Sequence, residues 1–254
     1  MIRRPGSRFD RGRIAAGGAA AAAFDPATLA LSGWWQGDDY AVGAWTGKAS
    51  AGASGGRNLT EATNPPAVGA SWNGHPTVDF DGTNDELRNA LAISNFIAAG
   101  AFTAWVVFEA DAFDTLGLPS STGCFLTDGA ASNYWAVAAS GVSGVTAVGR
   151  NYEFDGGDKI VDTTTVLSTG VRYLLEVRHE AGNIYARINN GSESAPVAAG
   201  DVGSLAGALF CGRSYNGVFF FNGRLGEIAI ATGAVAAGDR QSYRDYLIAR
   251  YTIP

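Results

Sequence analysis

The segment FNGRLGEIAIATGAVAAGDRQSYRDYLIARY, Phe221–Tyr251, changes its period halfway along. The stretch VFFFNGRLGEIAIAT (Val218–Thr232) is rich in apolar and β-branched residues around Asn222-Gly223 and reads as a strand pair. In DRQSYRDYLIARY, Tyr243, Tyr246, Leu247 and Arg250 follow one another at spacings of three and four, which is the stripe of a helix. This is the only helical period in the chain, and it comes last.

Upstream, the pattern is that of strands. LALSGWW (Leu29–Trp35), PTVDF (Pro76–Phe80), FTAWVVFEAD (Phe102–Asp111), CFLTD (Cys124–Asp128), YWAVAAS (Tyr134–Ser140) and VTAVGRNYEF (Val145–Phe154) are short β-rich runs separated by turn residues. Residues 46–75, rich in Gly, Ser, Asn and Pro, read as long loops. The clearest hairpin is Val171–Gly191. There Tyr173, Leu175 and Val177 alternate with Arg172, Glu176 and Arg178, and after the turn Ile184, Ala186 and Ile188 share one face. No fixed-period repeat is present. Short strands about every ten residues plus one terminal helix predict an all-β, two-sheet antiparallel jelly-roll sandwich over residues 24–254.

Thirty-five glycines against eight prolines, with 46% hydrophobic and 17% charged residues, agree with such a fold. No apolar run approaches the roughly 20 residues that cross a bilayer, so a soluble domain without membrane contact is expected. Residues 1–23 differ from the rest. Arg3, Arg4, Arg8, Arg11 and Arg13 against Asp10 give residues 1–14 a charge of +4, so the net −6 of the chain leaves −10 on the other 240 residues. A basic, Ala/Gly-rich stretch on an acidic body reads as an extended assembly arm. Its alanines and glycines are too weakly apolar for the core of a secretion signal. Without a series of aromatic residues beside the arginines, nucleic acid is not the expected partner; an acidic protein surface is. Cys124 and Cys211 make neither a disulfide framework nor a CxxC pair, and both are expected as buried free thiols.

Three segments carry a family resemblance: NGHPTVDFDGTNDEL, FTAWVVFEAD and the terminal strand–helix segment. Together they resemble the concanavalin A-like, laminin-G-like jelly rolls of bacteriophage virion and bacterial surface proteins. In that family an FDG turn precedes an aromatic strand, and a G-x-x-x-E strand leads to a helix ending in YL-x-x-RY. The resemblance spans Leu29–Pro254 and implies two curved sheets. It does not imply one function, because this fold hosts lectins, glycosidases, adhesins and virion parts.

Catalytic chemistry finds no constellation in the sequence. Retaining glycosidases of this fold alternate carboxylates along one strand as Glu-x-Asp-x-Glu, but Glu227 is followed by Ala229 and Ala231. Glu227 is expected to pair with Arg224 or with the terminal helix. His75 and His179 have no Ser or Cys motif beside them and read as surface or turn residues. In VDFDGTNDEL (Val78–Leu87), Asp81-Gly82 is a strong turn signal. The alternative there is calcium, to which Asp81, Asn84 and Asp85 could offer three oxygens of the six to eight required. Otherwise no cofactor is expected. Sugar binding needs aromatic platforms and a few polar groups, and Asp128, Asn133, Tyr134 and Trp135 on one turn with Tyr215 and Asn216 on another are the candidates. Trp135 also opens an alternating strand and, like Trp34, Trp35 and Trp105, reads as core.

The expectation is a non-catalytic structural protein of a virion or similar assembly, present in multiple copies. Its arm would contact other virion proteins while the jelly roll is displayed. The alternative is a glycan-binding adhesion module at a bacterial or extracellular surface, and the third is a glycoside hydrolase or lyase.

Overall fold

The computed structural model describes residues 24–48, 57–98, 100–113, 123–128, 133–142, 146–155, 157–200 and 206–254. The arm expected over residues 1–23 lies outside them. Strands β1 (Leu31–Gln36), β2 (Tyr40–Ala41), β3 (Ala44–Trp45), β4 (Leu59–Thr60), β5 (Ala67–Trp72), β6 (His75–Asp81), β7 (Leu87–Ala92), β8 (Ala101–Ala110) and β9 (Cys124–Asp128) come first. They are followed by β10 (Asn133–Val142), β11 (Thr146–Asp155), β12 (Asp158–Asp162), β13 (Arg172–Glu180), β14 (Asn183–Ile188), β15 (Val197–Ala198), β16 (Ala208–Cys211), β17 (Asn222–Thr232) and helix α1 (Ala237–Tyr251).

The strands form two antiparallel sheets. The eight-stranded sheet runs β15-β14-β13-β8-β17-β6-β5, with β1 also on β17, and the nine-stranded sheet runs β12-β11-β10-β9-β16-β7-β4-β3-β2. This is the expected jelly-roll sandwich, with one addition: α1 covers the outer face of the eight-stranded sheet. Three layers result.

Side-chain alternation between two covered faces explains why β8 is buried from Phe102 to Ala110. Phe102, Ala104, Val106, Phe108 and Ala110 face the other sheet, while Trp105 and Val107 face α1. On the β13–β14 hairpin, Tyr173, Leu175, Val177, Ile184, Ala186 and Ile188 all reach the inter-sheet core, as their alternation predicts. Continuing that alternation by one step brings His179 inside as well. It is buried with Nδ1 3.2 Å from Oε1 of the equally buried Glu153, and its ring stands edge-on to Phe102. His179 is therefore no surface residue. His75 opens β6, half-buried, with Nδ1 3.1 Å from Asp38.

Two expectations about elements change. Residues 67–72, read as loop, form β5: AVGASW has no strong alternation of its own and is held extended by its ladder to β6. The expected strand pair over Val218–Thr232 is a single strand, since β17 starts at Asn222 and the residues before it belong to a loop closed by an Arg213–Phe220 bridge.

The helix is held by a buried carboxylate. Asn222–Leu225 of β17 pair with β6, whereas Glu227–Ala231 pair with β1, and a bulge separates the two halves at Gly226. Because of it, Leu225, Ile228 and Ile230 all face the sheet interior, while Ala229 and Ala231 face α1. Glu227 falls on the helix side. A Cβ at position 226 would lie 2.9 Å from the Trp72 ring and 3.1 Å from Tyr251, so only glycine lets the two pack. Glu227 Oε1 accepts from Trp34 Nε1 at 2.7 Å and the Tyr243 hydroxyl at 2.8 Å. Its Oε2 accepts from Gln36 Nε2 and the Tyr251 hydroxyl, both at 3.0 Å, with Arg250 Nε 3.5 Å away. The helix is thus its partner, and Arg224 pairs with Glu109 instead. Burial pushes the Glu227 carboxyl up, against the opposing pull of Trp34, Tyr243 and Arg250.

Glu227→Ala should lower stability by about 3–5 kcal/mol, because it leaves buried donors and Arg250 without their acceptor. Urea denaturation followed by tryptophan fluorescence measures this, and Val166→Ala, on an exposed side chain, should fall within about 0.5 kcal/mol of wild type.

Candidate functional site

With α1 across the eight-stranded sheet, the aromatic residues of interest lie on the outer face of the nine-stranded one. Tyr134 and Trp135 are neighbours on β10 and so point to opposite faces. Trp135 goes inward: it is fully buried, donates from Nε1 to Asn151 Oδ1 at 2.9 Å, and meets Phe102 edge-on at 5.1 Å. Tyr134 goes outward. Its ring stacks on Tyr215 with centroids 4.1 Å apart and planes inclined by 23°, and on Phe154, its direct cross-strand partner, at 5.4 Å and 12°. Tyr152, diagonal to it on β11, completes the stack at 5.1 Å.

The hydroxyls of this stack form a chain. Tyr134 and Tyr152 share a hydrogen bond of 2.9 Å, and the Tyr152 hydroxyl donates to Asp158 Oδ1 at 2.5 Å. Burial pushes the Tyr134 phenol up to about 12, against the bond from Tyr152. The Tyr152 phenol also rises, through burial and then through its bond to Asp158. Both stay protonated at neutral pH. Further along the same face, Arg150 grips its cross-strand partner Asp162 with Nε at 2.6 Å and Nη2 at 2.8 Å. Such bidentate contacts fix the planes of both groups.

A short loop holds Tyr215 in place. Ser214 N–H donates to the Phe219 carbonyl at 2.8 Å, and Ser214 Oγ donates to Asn216 Oδ1 at 2.6 Å. Asn216 Oδ1 also accepts from Val218 N–H at 3.2 Å. Asn216 therefore serves the turn that presents Tyr215. The far side of the loop, Val218–Phe221, lines a cleft of about 280 Å³ with Phe113, Thr83 and Asn222.

Of the six sugar-binding candidates, the structure brings Tyr134 and Tyr215 together and places Asn216 beside them. Asp128 and Trp135 do not reach this face. Asp128 is buried and accepts the backbone N–H of Trp135 at 3.2 Å, so it secures the β9–β10 connection. Asn133 pairs with Asp155 at the start of the β10–β11 ladder. Tyr152, Phe154 and Asp158 were not among the candidates. The alternation of Arg150, Tyr152 and Phe154 along β11 was the available signal, but it gains meaning only once Tyr134 is known to lie opposite.

The acidic turn is a backbone device. Asp81 Oδ1 accepts from the N–H groups of Thr83 at 2.7 Å and Asn84 at 3.3 Å, while Asp85 Oδ2 accepts from Asp81 N–H at 2.8 Å. Burial pushes the Asp85 carboxyl up. Among the described residues, no group of three or more His, Cys, Asp or Glu is arranged to hold a metal. Cys124 and Cys211 are buried thiols, Cys124 beneath the Tyr134 stack and Cys211 in the inter-sheet core.

No protein-family model and no curated protein matches the sequence. The fold does match solved structures. Domain 4 of AbnA, a GH43 extracellular arabinanase from Geobacillus stearothermophilus solved with arabinotriose, is 14% identical with a TM-score of 0.62, covering 84% of this chain and 96% of that one. The binding domain of Paraclostridial Mosquitocidal Protein 1 is 12% identical with a TM-score of 0.58, over 86% of this chain and 56% of that one. An arabinofuranosidase complexed with arabinofuranosyl-alpha-1,2-xylobiose is 13% identical with a TM-score of 0.57, over 87% of this chain and 63% of that one. The chain thus spans less than two thirds of the latter two. The shared property is the concanavalin A-like, laminin-G-like jelly-roll fold.

The two stacked tyrosines should separate in their effect on stability. Tyr134→Ala removes a buried ring and should cost about 3–5 kcal/mol. Tyr215→Ala, on a half-exposed loop residue, should cost about 1 kcal/mol, the worth of one aromatic pair. Thermal unfolding of both variants checks the ranking.

Proposed function

We propose that this protein is a non-catalytic jelly roll that binds glycans through the outer face of its nine-stranded sheet. The observation that carries the proposal is the Tyr215–Tyr134–Phe154 stack. Tyr134 is buried beneath, so it rigidifies the half-exposed Tyr215 and Phe154, which remain available to a ligand. A sugar ring docks on such a platform with its apolar face, and its hydroxyls need polar groups nearby. Asp158, the Arg150–Asp162 pair and the Asn216 turn are the candidates for that role. No metal takes part in this reading.

Catalysis is not part of the proposal. Glu227 is buried under α1 with four donors on its two oxygens, and Ala229 and Ala231 stand where the partner carboxylates would be required. A second reading, structural service in a virion or another extracellular assembly, is favoured by the charge division between residues 1–14 and the acidic remainder. The two are compatible, since a displayed jelly roll can both build an assembly and hold it to a surface.

The test is a glycan array that includes arabinan and xylan oligosaccharides, chosen because structural neighbours were solved with such ligands. Wild type should bind at least one glycan class, and Tyr215→Ala should weaken it about fivefold or more, corresponding to about 1 kcal/mol. Retained affinity in Tyr215→Ala would remove the stack from the site. Polysaccharides incubated with the protein should yield no new reducing ends; turnover would overturn the non-catalytic assignment.

A further inference from the structure

Among the described residues, the strand orders of the two sheets end on β15, β5, β12 and β2, and three of these are guarded against pairing by charge or shortness. β12 carries Asp158, Lys159 and Asp162 within five residues, and β2 and β15 are each two residues long. Charge and shortness are the usual protections of a sheet edge. β5 has neither. It is six residues long, and residues 62–74 contain no charged side chain.

Its side chains are uncovered as well. Val68 stands directly across the ladder from Val78, a fully buried core residue, and so faces the inter-sheet side; yet it is 53% exposed. The nine-stranded sheet ends close by. The Tyr40 hydroxyl donates to the Pro66 carbonyl, and a Cβ at Gly43 would lie 3.8 Å from Pro65, which places the 66%-exposed Val42 beside the start of β5. Residues 40–47 are also uncharged.

We infer that β5 pairs antiparallel with β5 of a second copy of this chain about a twofold axis, joining the two eight-stranded sheets into one continuous sheet. An open strand edge offers N–H and C=O groups that only another extended backbone satisfies in series. A twofold axis makes the strand its own antiparallel complement, so one surface supplies both halves of the contact. Val68 then lies across the axis from its counterpart. Electrostatics favour the same occupant. Residues outside 1–14 carry −10, so two copies approach most cheaply where no charge faces them. A basic peptide, by contrast, would find no carboxylate on residues 62–74 to pair with. This inference is independent of the glycan reading.

Sedimentation of the full-length protein over a concentration series should show a dimer that tightens as salt screens the acidic bodies. Val68→Lys sets like charges against each other across the axis and should weaken association at least tenfold. Val166→Lys, at a site 56% exposed but away from β5, should leave it unchanged. Val68→Cys should give an intermolecular disulfide on mild oxidation, with the buried Cys124 and Cys211 remaining silent. A wild type that stays monomeric at every concentration and salt would overturn the inference. So would a dimer that survives Val68→Lys, or one in which Val68→Cys fails to cross-link.

Discussion

A single buried carboxylate organises the molecule. Glu227 holds a carboxyl beneath α1, where leaving it unpaired would cost several kcal/mol, and it is tolerated because side chains from β1 and α1 converge on it. Trp34 and Gln36 come from β1, Tyr243 and Tyr251 from α1, and Glu227 itself from β17. No two of these elements can shift against each other without stranding a donor. The bulge at Gly226 makes this possible, since strict alternation would have put Glu227 on the same face as Leu225, in the apolar space between the sheets. Glu176 repeats the device one strand pair away, accepting from Trp105 Nε1 and Arg244 Nη1, each at 2.7 Å. Two buried acids, each accepting from both the helix and the sheet under it, fix where α1 lies.

That placement has consequences on the opposite side. α1 occupies the outer face of the eight-stranded sheet over β1, β8, β13 and β17, and the stacked aromatic surface lies on the nine-stranded one. There the aromatic residues are stacked nearly parallel, whereas pairs such as Phe102–Trp135 in the core and Trp105–Tyr243 under the helix interlock edge-to-face. Compare the 12° and 23° inclinations around Tyr134 with the 77° of Phe102–Trp135 and the 90° of Trp105–Tyr243. Interlocked rings fill volume, whereas a stack with half-exposed outer members presents a flat surface. The difference in geometry follows from the difference in role that we propose.

The buried His179–Glu153 pair shows how far strand parity can be carried. Tyr173, Leu175 and Val177 already define the inward face of β13, and one more step of two residues reaches His179. The position at the end of an arm made it look like a turn residue. Antiparallel pairing with Phe102 on β8 keeps it inside.

Much of the fold was legible in the sequence, because alternation and the three-four spacing are properties of single segments. Strands β8 to β11, the β13–β14 hairpin, the terminal helix, the Asp81-Gly82 turn and the buried thiols all follow from local pattern and residue chemistry. β5 was not legible, since AVGASW has weak propensity and is extended only by its neighbour. Nor was the bulge at Gly226, which depends on Trp72 and Tyr251 pressing on one backbone position. Of the candidate site, the sequence by itself determined which aromatic and polar residues were available. It could not determine that Tyr134 and Trp135 divide between surface and core, or that Tyr215, more than 80 positions further on, closes over Tyr134. Only the tertiary structure decided these, because the face a strand residue occupies is set by what packs on each side of its sheet.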